Sequence, residues 1–343
     1  MREIAKEKTS NLEALFTNTS KKTGLSPAII EKDFWVCWLL DYLFHDSPWC
    51  GHLAFKGGTS LSKAFNLIKR FSEDIDLILD WRILGYGRDE PWQTRSNTQQ
   101  DIFNEKANAR SADFLKSEFA PRLKLDLSDE LDKEVDIGID GHDPNTVVFR
   151  YPCVFTDWSI LREILIESGS LAAWTPAQPR TIRPYAAETY PRLFKRPETS
   201  VFTVEAERTF WEKATILHRE AMRTDRQGPM PARYSRHYYD VWSMCENGIS
   251  DAALKQPYLL DAVVRFKQKF YRCAWAHYEL ATTREIRLSP PEWAISSLEA
   301  DYAHMRNMIF GPAPSFAEIL AVIKELETRI HAITSDENHA CQE

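Results

Sequence analysis

The chain has 343 residues, of which 43% are hydrophobic and 27% charged, and its formal net charge at pH 7 is −7. This composition excludes a disordered or fibrous protein, and the charge excludes a protein that is basic over its whole surface. Eight acidic residues and one lysine fall between residues 126 and 143. The excess negative charge is therefore concentrated in this segment, and the rest of the chain has room for a local basic surface.

The first hundred residues show a helix followed by a strand, a turn, a helix and a strand. Ser26 and Pro27 predict the start of the first helix, because serine is a favoured N-cap and proline a favoured first helical residue. Residues 52–55 are typical of a short strand, and apolar residues at positions 61, 64, 65 and 68 predict a helix after it. Residues 74–79 predict the next strand, and the polar residues 84–100 a loop.

A glycine pair separates the first predicted strand from the helix that follows it. Backbone amides are free at such a turn, glycine lets a phosphate approach the backbone, and a neighbouring hydroxyl adds a donor. An isolated glycine pair is also typical of a turn that only caps a helix, and the longer motif GxxxxGK[ST] does not occur here. The residues predicted to bind a nucleotide are Lys56, Gly57, Gly58, Thr59 and Ser60.

Asp74 and Asp76 are two positions apart on the predicted strand, so both carboxylates point to one face. Two such charges are stabilised by a cation, and Mg²⁺ prefers oxygen ligands that include phosphate oxygens. Alone, the pair is more typical of the acidic surface of a half-buried strand. Beside a glycine turn it predicts a Mg²⁺ site next to a phosphate site, as nucleotidyl transfer requires.

A third carboxylate is expected on a neighbouring strand. Two candidates lie on strands predicted at residues 134–139 and 164–167, namely Asp136 and Glu167. We prefer Glu167, because Asp136 belongs to the acidic segment, which is more simply interpreted as a solvated surface.

Five prolines between residues 176 and 197 place the main domain boundary near residue 200. Residues 1–200 are predicted to form an α+β domain and residues 201–343 a helical domain. Helices are predicted at residues 205–222 and 236–247, and residues 289–292 and 315–318 both have the capping-box pattern.

Two charged residues of the predicted C-terminal helices lie next to apolar faces. Lys213 either extends its ammonium to solvent or contacts a triphosphate. Asp240 lies beside aromatic residues, where a carboxylate needs a cation or a donor, and Arg236 is the simplest partner.

Five short blocks of the chain resemble, in order, the motifs of the AbiEii/AbiGii nucleotidyltransferase toxins, which include the MenT toxins. The glycine-and-aspartate blocks are shared with the wider polymerase-β-type superfamily, whereas the others narrow the resemblance to these toxins. The blocks are residues 31–36 (EKDFWV), 55–61 (FKGGTSL), 70–77 (RFSEDIDL), 208–213 (RTFWEK) and 236–240 (RHYYD).

The resemblance implies a polymerase-β-type sheet with flanking helices and a helical C-terminal domain. It implies a type IV toxin–antitoxin or abortive-infection toxin, with a transcriptional-regulator antitoxin encoded beside it. It further implies that Asp74, Asp76 and the glycine turn bind metal and nucleotide, that Lys213 contacts the nucleotide, and that Asp240 is a catalytic carboxylate. Family members bind GTP or add nucleotides to the 3′ end of tRNA, so we expect GTP or a pyrimidine NTP as substrate.

An RNA acceptor needs cations, and two basic stretches provide them. The first also contains aromatic residues, a mixture that suits single-stranded 3′ ends. Arginines on helices also commonly form solvated faces, and that interpretation stays open. The first stretch comprises Arg180, Arg183, Arg192, Lys195 and Arg196 with Tyr185, Tyr190 and Phe194; the second comprises Arg219, Arg223, Arg226, Arg233 and Arg236.

Three other functions use the same sequence features. They are a nucleotidyltransferase that modifies a small molecule such as an antibiotic, a non-catalytic NTP-binding module, and a plain interaction protein. The N-terminus has no apolar signal core and no apolar run approaches the thickness of a bilayer, so we expect a cytoplasmic protein without a membrane partner.

Overall fold

The computed structural model describes residues 1–72, 74–157, 160–169, 176–311 and 313–333. The chain divides into two compact units. The first consists of Met1–Ala64 and Phe71–Val204; the second consists of Phe65–Arg70 and the chain from Glu205 onward. Residues 65–70, which we call the inserted segment, therefore belong to the second unit although the residues on either side of them belong to the first.

A seven-stranded mixed sheet forms the centre of the first unit. Its strand order is β3-β4-β5-β2-β1-β7-β6, with β1/β7 and β2/β5 parallel and the other neighbours antiparallel. The strands are β1 Leu53–Lys56, β2 Ile75–Leu79, β3 Asp136–Ile139, β4 Thr146–Arg150, β5 Ile164–Gly169, β6 Ala177–Ile182 and β7 Thr199–Val204.

Helices flank this sheet and make up most of the second unit. In the first unit they are α1 Arg2–Ala5, α2 Thr9–Thr23, α3 Pro27–His45, α4 Gly57–Lys63, α5 Asn97–Phe114, α6 Ala120–Leu131 and α7 Tyr185–Thr189. In the second unit they are α8 Ala206–Ala221, α9 Ser235–Glu246, α10 Ile249–Leu254, α11 Tyr258–Phe270, α12 Glu292–Met305 and α13 Phe316–His331. The predicted α+β class is confirmed.

Helix α3 is the central helix of the first unit. It begins as predicted, because the Ser26 hydroxyl accepts a hydrogen bond from the Ile29 amide and Pro27 is the first helical residue. Trp35 and Trp38 are fully buried and pack edge to face with ring centroids 5.3 Å apart. Both tryptophans also contact Phe149 of β4, so this helix is buried against the sheet. No helix in the described ranges has the length and apolar composition needed to cross a bilayer.

Three local predictions were wrong, each for a physical reason. Helix α4 ends at Lys63 instead of continuing to residue 68, because the chain turns at Asn66 with φ of 53° and enters the second unit. Pro179, one of the five prolines predicted to break the chain before the domain boundary, instead lies within β6, at the edge of the sheet, where a missing amide donor is tolerated. The pattern at residues 289–292 is not a capping box, since α12 begins at Glu292 without a side-chain cap. The capping box at Ser315 is confirmed.

Candidate active site

The glycine turn lies directly against the Asp76 carboxylate. Strand β1 ends at Lys56 and α4 begins at Gly57, whose φ of +79° is in the left-handed region that favours glycine. A Cβ atom at Gly57 would lie 1.8 Å from the Asp76 Oδ2 atom. Position 57 therefore requires glycine both for its backbone angle and for the close approach of this carboxylate.

The register of the sheet brings three charged residues side by side. Lys56 of β1 pairs with Asp76 of β2, and Asp76 pairs with Glu167 of β5. Paired residues on neighbouring strands point to the same face, so Lys56, Asp76 and Glu167 form a row across three strands. Ile75, Leu77 and Leu79 are buried as predicted and Asp76 is half-buried, but the alternation does not extend along the whole strand, because Ile78 is buried too.

The sheet distinguishes the two candidates for a third carboxylate. Glu167 lies next to Asp76, whereas Asp136 begins the edge strand β3, which β4 and β5 separate from β2. The exposed Asp136 carboxylate lies 3.3 Å from the guanidinium of Arg150. The geometry therefore favours Glu167 as the neighbour of the aspartate pair, and its catalytic role stays a prediction.

Thr59 and Ser60 stabilise the turn and the strand that follows it. The Thr59 hydroxyl donates to the carbonyl oxygen of Asp74 and lies 3.0 Å from the Ser72 hydroxyl. The Ser60 hydroxyl donates to the Gly57 carbonyl oxygen at 2.8 Å. Both side chains are buried. In this structure their protons are used within the turn, and the expectation that one of them donates to a phosphate stays a prediction.

The site has the donor chemistry of a hard cation. Asp74 directly precedes β2, so the prediction that its side chain shares the face of Asp76 extends the alternation of the strand by one residue. Within the described residues, no group of three or more His, Cys, Asp or Glu side chains is arranged to hold a metal. The carboxylates present fit Mg²⁺, which commonly completes its shell with phosphate oxygens and water. Glu73, in the same motif, lies outside the described residues.

The first of the five sequence blocks, residues 31–36, supports the elements that carry the site. Its three charged side chains are buried on α3 and each holds a different part of the first unit. Glu31 accepts hydrogen bonds from the amides of residues 154 and 155, Lys32 donates to the carbonyl oxygen of Leu161, and Asp33 pairs with Lys63 at the end of α4. Sequence reasoning gave these residues no role, because their partners are distant along the chain.

Replacing Asp33 by Asn should destabilise the protein by about 3–5 kcal/mol, because it leaves the buried Lys63 ammonium without its countercharge. The Asp33 Oδ1 atom lies 2.7 Å from Lys63 Nζ, and its Oδ2 atom accepts from the Tyr185 amide at 2.7 Å. Urea unfolding followed by circular dichroism measures the change. The matched control is Asp132→Asn, which breaks an exposed pair with Lys6 and should change the free energy of unfolding by less than about 1 kcal/mol. Equal effects of the two substitutions would contradict this role of Asp33.

The second unit contains a buried cluster of three charged side chains. Asp240 of α9 is fully buried, and its Oδ1 and Oδ2 atoms accept from Arg70 Nε at 2.7 Å and Arg70 Nη2 at 2.8 Å. Lys213 of α8 donates to the same Oδ2 atom at 2.7 Å. The partners of Asp240 are therefore Arg70 and Lys213, and the alternative pairing with Arg236 was wrong. Burial disfavours ionisation of Asp240, but the two cations outweigh it and hold its pKa well below the ordinary range.

His237 lies beside this cluster, and sequence reasoning missed it. Its Nδ1 atom is closed off from solvent and has no hydrogen-bond partner in the described part of the chain. Burial and the nearby charges of Lys213, Arg236 and Arg70 lower the pKa of His237 well below its usual value, although Asp240 opposes this shift. His237 is therefore neutral at pH 7.

The lowered pKa of His237 predicts acid sensitivity. Between about pH 6.5 and the folded-state pKa, the unfolded chain binds a proton at this position that the folded chain does not, so stability falls as the pH falls. We expect His237→Asn to make the free energy of unfolding depend less on pH, by at most about 1.4 kcal/mol per pH unit. Urea unfolding between pH 7.5 and 5 measures this slope. His218, whose pKa burial also lowers, keeps part of the slope. A slope unchanged from that of the control His142→Asn, at an exposed position, would contradict the prediction.

The first predicted RNA-binding stretch is largely used within the fold. Phe194 is buried against Phe34, and the Tyr185 ring lies under the Lys63 ammonium, so neither ring is available to stack on a base. Three of its cations lie in ion pairs: Arg183 with Glu198, Lys195 with Glu3, and Arg196 with Asp41. These contacts do not support this stretch as the main RNA surface.

The second predicted stretch retains features of a nucleic-acid surface. Arg219 and Arg223 flank the partly exposed ring of Trp275, with guanidinium carbons 5.2 and 4.9 Å from the ring centroid. Both arginines also pair with the buried Glu220 carboxylate. Arg226 is exposed on the same unit. The Trp275 ring is thus covered by cationic side chains, like the Tyr185 ring, so the support for this surface comes from exposed cations such as Arg226.

Comparisons with known proteins agree with these features. A sequence profile described as the nucleotidyl transferase AbiEii toxin of a type IV toxin–antitoxin system matches residues 38–322. The structure resembles that of MenT4, a nucleotidyltransferase toxin from Mycobacterium tuberculosis, with a TM-score of 0.51 and 14% sequence identity. That match covers 95% of this chain and 91% of MenT4 and shows a shared fold. A search among curated protein sequences found no match.

Proposed function

The chain belongs to the AbiEii family of nucleotidyltransferase toxins of type IV toxin–antitoxin systems, and we propose that it transfers a nucleoside monophosphate from an NTP to the 3′ end of an RNA, with tRNA as the acceptor. The observation that carries this proposal is the contact between the glycine turn and Asp76, with Glu167 beside it on the next strand. It supports a phosphate site and a cation site that share one carboxylate.

The proposed reaction forms one bond and breaks one. The 3′ hydroxyl oxygen of the RNA attacks the α-phosphorus of GTP or a pyrimidine NTP, the bond between the α-phosphorus and the bridging oxygen breaks, and pyrophosphate leaves. Glu167 accepts the proton of the attacking hydroxyl, since it is the carboxylate next to Asp76 in the sheet. Asp74 and Asp76 are the residues that would hold Mg²⁺, and the bound ion would supply positive charge against the phosphates.

Lys213 is assigned to the leaving pyrophosphate, whose charge increases during transfer. Its ammonium donates one hydrogen bond to Asp240 and has two further protons for a phosphate. Asp240 is a poor general base, because its two oxygens accept three hydrogen bonds from cations and its pKa is far below neutral. We therefore assign Asp240 to holding Lys213 rather than to proton transfer.

The test is incubation of the protein with each labelled NTP, Mg²⁺ and total cellular RNA, followed by gel electrophoresis. Label in the tRNA band that increases with time supports the proposal. Label only on an added aminoglycoside supports the small-molecule alternative, and NTP binding without pyrophosphate release supports a non-catalytic module. Either result contradicts RNA nucleotidyl transfer. A separate measurement tests the basic surface near Trp275. The affinity for tRNA should fall steeply as the salt concentration is raised, and Arg226→Gln should make this salt dependence less steep.

The family also implies an antitoxin partner. We propose that this partner is a transcriptional regulator encoded beside the toxin and that both act in the cytoplasm during defence against phage. Co-expression of the neighbouring gene should relieve growth inhibition by the toxin, and growth inhibition that the neighbouring gene does not relieve would contradict this pairing.

A further inference from the structure

The side chain of Arg70 has no assigned role, yet it makes a buried, bidentate contact with Asp240 in the second unit. Its guanidinium binds both oxygens of Asp240, so the plane of that carboxylate is fixed. Arg70, Asp240 and Lys213 are 6%, 0% and 6% exposed, so solvent does not replace these contacts. A carboxylate held only by Lys213 would keep freedom to rotate, whereas this carboxylate presents its Oδ2 atom to Lys213 at one position.

The backbone around Arg70 is fixed to the same helix that carries Asp240. The carbonyl oxygen of Leu67 accepts from Ser243 Oγ at 2.6 Å and from Asn247 Nδ2 at 3.3 Å. The Lys69 amide donates to the Tyr239 hydroxyl at 3.3 Å. The backbone next to Arg70 and the Arg70 guanidinium are therefore both held by residues of α9 or by Asn247, which follows it.

A second element holds the inserted segment from another direction. The Phe310 amide donates to the Lys69 carbonyl oxygen at 2.7 Å, and Arg70 and Ile309 form an antiparallel bridge. The inserted segment is thus hydrogen-bonded both to the α9 region and to residues 309 and 310. A loop that only connected two elements would not need both sets of contacts. Such preorganisation is typical of residues that support a functional side chain.

We propose that Arg70 is a positioning residue for nucleotide transfer, which acts by holding Asp240 so that the Lys213 ammonium keeps the one position in which it binds a phosphate of the NTP. This inference rests on the proposed function for its kinetic consequence, but the contact itself is independent of that function. Two roles are possible for an arginine at this position, support of Lys213 or direct contact with the NTP, and the experiments below distinguish them.

The main test uses Arg70→Lys, which keeps the charge and loses the two parallel hydrogen bonds. We expect kcat to fall about tenfold with KM for the NTP within about twofold of the wild-type value, because the lost orientation matters most when charge develops on the leaving group. In a Lys213→Gln background, Arg70→Lys should have no further effect, since it acts through Lys213. Effects that multiply would overturn the proposal and indicate direct contact between Arg70 and the NTP.

The matched control is Glu327→Gln, which weakens hydrogen bonds from the amides of Leu288 and Ser289 in the same unit. It should lower thermal stability without lowering kcat. If it lowers kcat as much as Arg70→Lys at equal loss of stability, the effect of Arg70 is only structural and the proposal fails.

A readout that needs no enzymatic activity is acylation of Lys213 by acetic anhydride, followed by mass spectrometry. Release of the carboxylate in Arg70→Lys should accelerate labelling of Lys213 about threefold or more relative to a surface lysine such as Lys195. An unchanged rate would overturn the proposal. If the wild-type protein transfers no nucleotide to any RNA, the proposed function fails, and this labelling rate alone decides the role of Arg70.

Discussion

Asp76→Asn is expected to reduce nucleotide transfer about a thousandfold while the protein stays folded. The substitution keeps the size of a half-buried side chain and removes the charge that lies against the glycine turn and beside Glu167. Loss of a carboxylate that is proposed to hold Mg²⁺ should remove several kcal/mol of transition-state stabilisation, and about 1.4 kcal/mol corresponds to a factor of ten. Initial rates with labelled NTP measure the loss, and thermal unfolding checks the fold.

The control for this experiment is Asp136→Asn on the edge strand β3. It removes an acidic residue of the same sheet that the register places away from Asp76. The rate of this variant should stay within about twofold of wild type. Retention of more than a tenth of the wild-type rate in Asp76→Asn, or an equal loss in Asp136→Asn, would remove the β2 carboxylate from the mechanism.

Gly57→Ala is expected to abolish transfer and to destabilise the first unit by about 2–5 kcal/mol, which combines left-handed strain with steric overlap. The new Cβ atom would lie 1.8 Å from Asp76 Oδ2, so the carboxylate has to move away from the turn. Neither the backbone at position 57 nor the Asp76 side chain can accommodate the methyl group without a shift of the turn or of Asp76. Urea unfolding and initial rates on the same samples measure both effects.

Two other glycines separate the causes of this loss. Gly24 also has a positive φ, of +76°, but an added Cβ meets no atom within 4 Å; Gly51 has neither a positive φ nor a neighbour. We expect Gly24→Ala to cost about 1–2 kcal/mol without loss of activity and Gly51→Ala to cost less than about 1 kcal/mol. If Gly57→Ala behaves like Gly24→Ala, close contact with Asp76 is not required for transfer.

The sequence predicted local features and the chemistry within one motif, but not the contacts that support them. The Ser26 cap, the glycine turn and the half-buried Asp76 between buried Ile75 and Leu77 follow from residues close together in the chain, and the structure has all three. The pairing of Asp240 with Arg70 was missed, because Arg70 is 170 positions away along the chain. Apolar spacing up to residue 68 predicted a continuous helix, but spacing does not show that the chain leaves the helix after Lys63 and enters the second unit.

The roles of the charged residues in the motif at 31–36 were missed for a related reason. Glu31, Lys32 and Asp33 are adjacent, and adjacent charges on a helix normally point to solvent. Their partners are main-chain groups and Lys63, in segments that only the folded chain brings close. A buried polar side chain of this kind is recognised from its partners, and a single sequence does not contain them.

Residues 65–70 also determine how the protein can be divided for experiments. A fragment beginning at residue 205 would lack Arg70, and its buried Asp240 would lose the only bidentate partner it has among the described residues. A fragment ending at residue 204 would expose Leu67 and Ile68, which are buried in the intact chain. We therefore expect neither half to fold as a separate product. To be soluble, separate halves would need residues 65–70 attached to the second unit by permutation or grafting. If two simple fragments were mixed, residues 65–70 would stay on the polypeptide of the first unit.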